Sequence, residues 1–126
     1  MAKDGRRIFP IHQTQFGEYD LDGPVQPDIS LLEVSYDRAS GNGCYVMRMQ
    51  PGAKTVAHVH GGVEDFLIVE GELVDDDGTV FKQGDFISYA PGTRHHSWTK
   101  DGCLIAVFEW GKPGGNVTRR NRGSGG

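Results

Sequence analysis

Three histidines and one glutamate stand at chemically suggestive spacings: Gly52-x5-His58-x-His60-x3-Glu64-x6-Gly71, then Gly84-x6-Pro91-Gly92-x2-His95. Imidazole and carboxylate are donors that divalent transition metals take from proteins. On a β-strand, residues i and i+2 share a face about 6.6 Å apart, so His58 and His60 can lean both rings onto one ion at about 2.1 Å each. Gly61-Gly62 lets the chain turn back, and antiparallel pairing of a next strand beginning at Glu64 brings its carboxylate to the same face. His95 closes the set from a second hairpin. A single His-x-His would carry little weight, because histidines on strands are often satisfied core or surface residues. Burying three imidazoles and a carboxylate with no ion, however, leaves several polar atoms in need of partners. The cluster predicts one divalent metal per chain, held by His58, His60, Glu64 and His95.

The elements that must position these side chains read as short strands. Strand-like runs span 29–36, 44–49, 64–69, 72–74, 79–81, 86–89, 95–99 and 103–110, separated by turn signals such as Pro51-Gly52, Asp75-Asp-Asp-Gly78 and Pro91-Gly92. The chain has 19 glycines and 6 prolines and no amphipathic helical pattern. Short strands at close spacing must each bury one face, which leaves a sandwich or a closed barrel. Residues 1–28 read as an extended arm with isolated apolar anchors at Ile8, Phe9, Ile11 and Phe16 and room for one strand across the core. The barrel is expected over 29–110. Residues 111–126, Gly-rich and basic with one aliphatic side chain, cannot offset their ordering entropy by burial and read as a flexible tail.

A length of 126 residues allows one domain, and 37% hydrophobic with 24% charged residues is a globular balance. The net charge of −4 sets the mean field against nucleic acid, so none is expected as a partner. Apolar runs such as Cys103–Phe108 fall far short of the roughly 20 residues a membrane span needs, and no apolar h-region follows the basic N-terminus. A cytoplasmic protein with no membrane partner is the expectation. Cys44 and Cys103 lack the spacing of a zinc knuckle or redox pair and read as buried thiols.

The two blocks resemble the cupin motifs, G(X)5HXH(X)3,4E(X)6G and G(X)5PXG(X)2H(X)3N. Gly52, His58, His60, Glu64 and Gly71 match every fixed position of the first. Gly84, Gly92 and His95 match the second, while Ala90 stands at its Pro position and Thr99 at its Asn. The resemblance covers about residues 29–110 and implies an all-β cupin double-stranded β-helix, a jelly-roll barrel with the metal inside. Within the superfamily the chain looks most similar to small single-domain cupins grouped with acetylacetone dioxygenases and with the zinc-binding cupin domain of certain anti-sigma factors. Small cupins are usually dimers, so the anchors of the arm are expected to serve a homodimer, crossing to or packing beside the partner's sheet.

Strand alternation then selects the side chains beside the metal. Glu64 facing inward carries Phe66 and Ile68 with it, and His95 carries Ser97 and Thr99. Arg48 placed toward solvent turns Tyr45, Met47 and Met49 inward. On the last strand either Leu104, Ala106, Phe108 and Trp110 or the set containing Glu109 faces the cavity. An unpaired buried Glu109 would be costly, which favours the first set. Substrate contacts are therefore expected from Tyr45, Met47, Phe66, Ile68, Ser97 and Phe108, with plain barrel core as the competing reading. His96 and Trp98 should face outward, and His12 should lie in the arm. Glu64 is the one visible candidate for a catalytic base.

Three neutral imidazoles and a carboxylate leave a divalent ion at net +1 and, if it is octahedral, with two neighbouring open positions. With Fe(II), the favoured metal, this permits dioxygenase cleavage of a C–C bond in a small chelating carbonyl compound, a β-diketone or an aryl ketone. With Zn(II), Mn(II) or Ni(II) it permits a non-redox lyase or isomerase, or a small-molecule sensor.

Overall fold

The computed structural model describes residues 3–112. These form ten strands: β1 (Gly17–Tyr19), β2 (Gln26–Asp37), β3 (Asn42–Met49), β4 (His58–Val59), β5 (Val63–Asp75), β6 (Val80–Lys82), β7 (Phe86–Tyr89), β8 (Arg94–His95), β9 (Ser97–Trp98) and β10 (Cys103–Trp110). Among the described residues no helix is long and apolar enough to cross a membrane. The strands pair antiparallel in the order β1-β2-β3-β10-β5; β7 pairs with β5 on the edge opposite β10, and beyond the bend β6 and β9 flank β5 on opposite edges at Val74. β4 and β8 make a separate two-stranded ribbon. Together they curl into a jelly-roll barrel.

β5 does most of the curling. The runs 64–69 and 72–74, expected as two strands, are one strand that bends in the middle. Its partner β10 slips register between Leu104 and Ile105, leaving Val69 as an extra residue, a β-bulge. Two residues on, Gly71 sits at φ 79°, and a Cβ there would lie 2.3 Å from the Gly102 carbonyl. Only glycine accepts both the positive φ and that approach. Beyond the bend β5 leaves β7 and β10 and pairs instead with β6 and β9.

Two layers of apolar side chains result. The inner one gathers Ile29, Leu31, Tyr45, Met47, Met49, Phe66, Ile68 and Ile105. On the outer face Leu32, Val46 and Leu104 lie beneath Phe9, Ile11 and Phe16. The first 28 residues therefore contribute to both layers: Phe9 and Ile11 pack on the chain's own sheet, and Tyr19 of β1 is buried in the inner layer. Ile8 stays 75% exposed. Residues 113–126, most of the expected tail, lie outside the described residues.

Two sequence expectations need correction. On β10 the inward set is Cys103, Ile105, Val107 and Glu109, not the set containing Phe108. Glu109 is not unpaired: Oε2 accepts a 2.9 Å hydrogen bond from Tyr45, and Oε1 accepts one from the Lys112 ammonium. Two donors remove the cost on which the expectation rested. Phe108 points outward and stacks on Phe86, and Trp110 is 55% exposed. The second correction concerns His58, whose strand pairs with β8 rather than with the strand of Glu64. His58 and His95 are direct register partners, while Glu64 lies between Tyr89 of β7 and Glu109 of β10.

Candidate metal centre

The four expected donors converge although they sit in different structural elements of two stretches of chain, 58–64 and His95. The β4–β8 ribbon supplies His58 and His95, β5 supplies Glu64, and the turn between β4 and β5 supplies His60. That turn is fixed by backbone bonds from His60 N to the Thr93 carbonyl (3.0 Å) and from Gly92 N to the His60 carbonyl (2.8 Å). One ligand atom from each side chain lies within 4.8 Å of all the others. Nε2 of His60 is 3.1 Å from Nε2 of His58 and 3.1 Å from Oε1 of Glu64, and Nε2 of His95 is 3.4 Å from the same oxygen. His60, Glu64 and His95 are buried; His58 is half-buried.

Hydrogen bonds behind the rings fix which nitrogen faces inward. His58 Nδ1 donates to the Val56 carbonyl at 2.7 Å, and His95 Nδ1 donates to Oδ1 of Asp75 at 3.1 Å. Both Nε2 lone pairs therefore face Nε2 of His60 and the carboxylate. Nδ1 of His60 is buried without a partner. Electron-rich atoms this close repel one another unless a cation or extra protons lie among them. Burial opposes the charge on Glu64, but in the metal-free protein, with protons in place of a cation among these atoms, hydrogen bonds from His60 and His95 overcome it and hold the carboxyl down to about 2. Burial likewise opposes charge on His95, yet its bonds to Glu64 and Asp75 raise it above the usual 6.5. Donor type, convergence and mutual repulsion all fit a divalent metal ion.

Beside this cluster lies a cavity of about 40 Å³. Tyr45, Met47, Phe66 and Ser97 line it, as alternation predicts, together with Ile105 and Val107 of β10. Ile68 is buried in the core away from the cavity wall, and Phe108 is on the outer face. Ser97 Oγ donates to Asp75, and Thr99 donates to the Glu72 carbonyl. The outward expectations for His96 and Trp98 agree with the exposed positions both occupy, and exposed His12 lies 3.4 Å from Glu70.

Sequence reasoning missed three polar groups here. Asp75, read as a turn residue, is buried against His95. Asp22, from the segment read as an arm, lines the cavity and accepts a hydrogen bond from Tyr19. Glu109 sits behind Tyr45. Burial raises the hydroxyls of Tyr19 and Tyr45, so both stay protonated donors near neutral pH. Burial also raises the Cys44 thiol and pushes that of Cys103 up to about 11, which leaves neither a thiolate.

A jelly-roll barrel holding three histidines and a glutamate at this spacing defines a cupin. The chain belongs to the ChrR cupin-like domain family, whose model matches residues 21–112. No curated protein matches the sequence significantly. Among solved structures it is similar to a putative ethanolamine utilization protein Q from Salmonella typhimurium, at 19% identity and TM-score 0.67 over 86% of this chain and 89% of that one. A putative acetylacetone dioxygenase from Methylibium petroleiphilum matches at 13% identity and TM-score 0.64 over 86% and 79%. The anti-sigma ChrR of Rhodobacter sphaeroides, solved in complex with SigE, matches at 17% identity and TM-score 0.56 over 67% of this chain but 45% of that one. At such identities the likeness speaks for the fold.

Proposed function

We propose that this cupin is an Fe(II)-dependent dioxygenase that cleaves a C–C bond in a small carbonyl compound able to chelate the metal. The observation that carries the reading is the position of the four-donor cluster beside a small, mostly apolar cavity. His58, His60, Glu64 and His95 would hold the ion, which when bound supplies the chemistry of dioxygen and of enolate chelation. Phe66, Met47, Ile105 and Val107 exclude water from the space beside it, and a wall of that kind suits an uncharged or enolate ligand better than a sugar. Tyr45, its proton shared with Glu109, and Ser97, its proton shared with Asp75, orient polar groups without adding charge. The cavity of about 40 Å³ suits a small ligand. The likeness to the putative acetylacetone dioxygenase of Methylibium petroleiphilum points the same way.

The same small volume favours one alternative: a Zn(II), Mn(II) or Ni(II) form that acts as a lyase or isomerase, or that binds a small ligand as a sensor, as the likeness to an anti-sigma protein suggests. Oxygen-electrode assays of anaerobically iron-loaded protein against β-diketones and hydroxyaryl ketones separate the readings. Uptake stimulated by a diketone above the metal-free control supports the oxygenase. No stimulation by any member, with ligand binding or turnover by the zinc or manganese form, replaces it with the alternative.

A further inference from the structure

The ring of His95 has a carboxylate at each nitrogen, and both carboxylates belong to β5. Glu64 reaches Nε2 at 3.4 Å and Asp75 reaches Nδ1 at 3.1 Å. Eleven residues separate the two, about 36 Å of straight strand at 3.3 Å per residue. Only the bulge and the Gly71 bend bring them to opposite sides of one imidazole. Asp75 is 7% exposed and accepts from three elements: His95 of β8 and Ser97 of β9 at Oδ1, both at 3.1 Å, and the Tyr89 hydroxyl of β7 at Oδ2. The Tyr89 ring in turn stacks on His95, centroids 4.2 Å apart and planes 22° apart. No turn needs this collar. The neighbouring Asp76 and Asp77 are exposed, and Asp77 caps the Thr79 amide, while Asp75 turns inward.

We propose that Asp75 is the positioning carboxylate of the metal centre. It holds the Nδ1 proton of His95, keeps the Nε2 lone pair on the ion and, with Tyr89 stacked behind, fixes the ring plane. The inference rests on the metal-centre reading but not on the oxygenase reading, because it concerns affinity and geometry for any divalent ion. Outer carboxylates of this kind change metal affinity by about 10–100-fold.

The test uses the full chain, with Zn(II) affinity measured by chelator competition and ligand geometry read from the visible spectrum of the Co(II) form. Asp75→Asn should bind Zn(II) about 10–100-fold more weakly and shift the Co(II) bands, with the unfolding midpoint of the metal-free protein close to wild type. Thr99→Ala, which removes a buried hydrogen bond to the Glu72 carbonyl of β5 and leaves the contacts of Asp75 with His95, Ser97 and Tyr89, should keep wild-type affinity. If Asp75→Asn matches wild type in affinity and spectrum while His95→Ala loses metal, the positioning role is overturned. Equal loss in Asp75→Asn and Thr99→Ala overturns it too, since that marks general loosening. Full metal occupancy in His95→Ala overturns the metal centre itself and this proposal with it. A readout independent of variant folding is 15N–1H NMR of zinc-loaded wild type. The His95 Nδ1 proton should appear far downfield and exchange slowly, and a fast-exchanging proton or coordination through Nδ1 contradicts the assignment.

Discussion

His95 and Glu64 make the metal-free centre a small buried salt bridge, and its response to pH has a definite sign. Glu64 is held near 2 in the folded protein, so its contribution is complete above its ordinary 4.5 and is lost as pH falls towards 2. His95 is raised above 6.5, so its contribution is complete below 6.5 and is lost as pH rises through the folded value. For these two groups the metal-free protein is most stable between 4.5 and 6.5. Metal binding runs the other way, because protonated imidazole does not ligate. The zinc-induced rise in Tm should therefore grow from about pH 5 to about pH 8. Paired thermal melts of chelator-treated and zinc-loaded protein check this, and an increment independent of pH would rule out histidine ligation. Elemental analysis of the His58→Ala/His60→Ala double variant should find no stoichiometric metal; full occupancy would remove the ligand assignment.

At the scale of elements, the bend in β5 is the part most open to measurement. Gly71→Ala places a side chain at positive φ and 2.3 Å from a carbonyl, and should cost at least about 2 kcal/mol in denaturant unfolding of the metal-free protein. Tyr45→Phe takes one of two donors from buried Glu109 and should cost about 1–2 kcal/mol by the same measurement. A neutral result in either would mean that the strand or the carboxylate relaxes into another arrangement. The bend also explains what could be read from the sequence. His58, His60, Glu64 and Gly71 lie close along the chain, so periodicity and turn chemistry reveal them, and the spacing of the second block reveals His95. Asp75 comes to the centre only through the fold-back of β5, and from sequence an Asp-Asp-Asp-Gly run reads as a turn. The face of β10 was misread because Glu109 finds its donors on β3 and beyond the strand's end, where alternation gives no information. Ile68 shares the parity of Phe66 and packs in the same inner layer, but other core side chains, not Ile68, line the cavity.

Over the whole molecule, the outer surface is less finished than the interior. Phe86 is 62% exposed and stacks on Phe108 at 6.0 Å, and Trp110 and Ile8 are exposed as well. Exposed aromatic area of this kind supports the proposed homodimer, and sedimentation of the intact protein at micromolar concentration should give twice the 13.8 kDa chain mass. A monomer would remove the proposal. Deleting residues 1–15 should lower the unfolding midpoint in either case, because it strips Phe9 and Ile11 from Leu32, Val46 and Leu104.

The β4–β8 ribbon bears on kinetics as well as affinity. It holds two of the four donors by two register pairs, His58 with His95 and Val59 with Arg94, continued by the backbone bonds of His60 with Thr93 and Gly92, while Glu64 belongs to β5. His58 is the donor nearest to water, its side chain 29% exposed against 2% for His60, 9% for Glu64 and 8% for His95. Such a clasp opens by fraying of the ribbon while the barrel stays folded. Dissociation of the ion into excess chelator should therefore outpace global unfolding by orders of magnitude and begin with His58, so that residence time and thermodynamic stability become separately adjustable properties of the one centre.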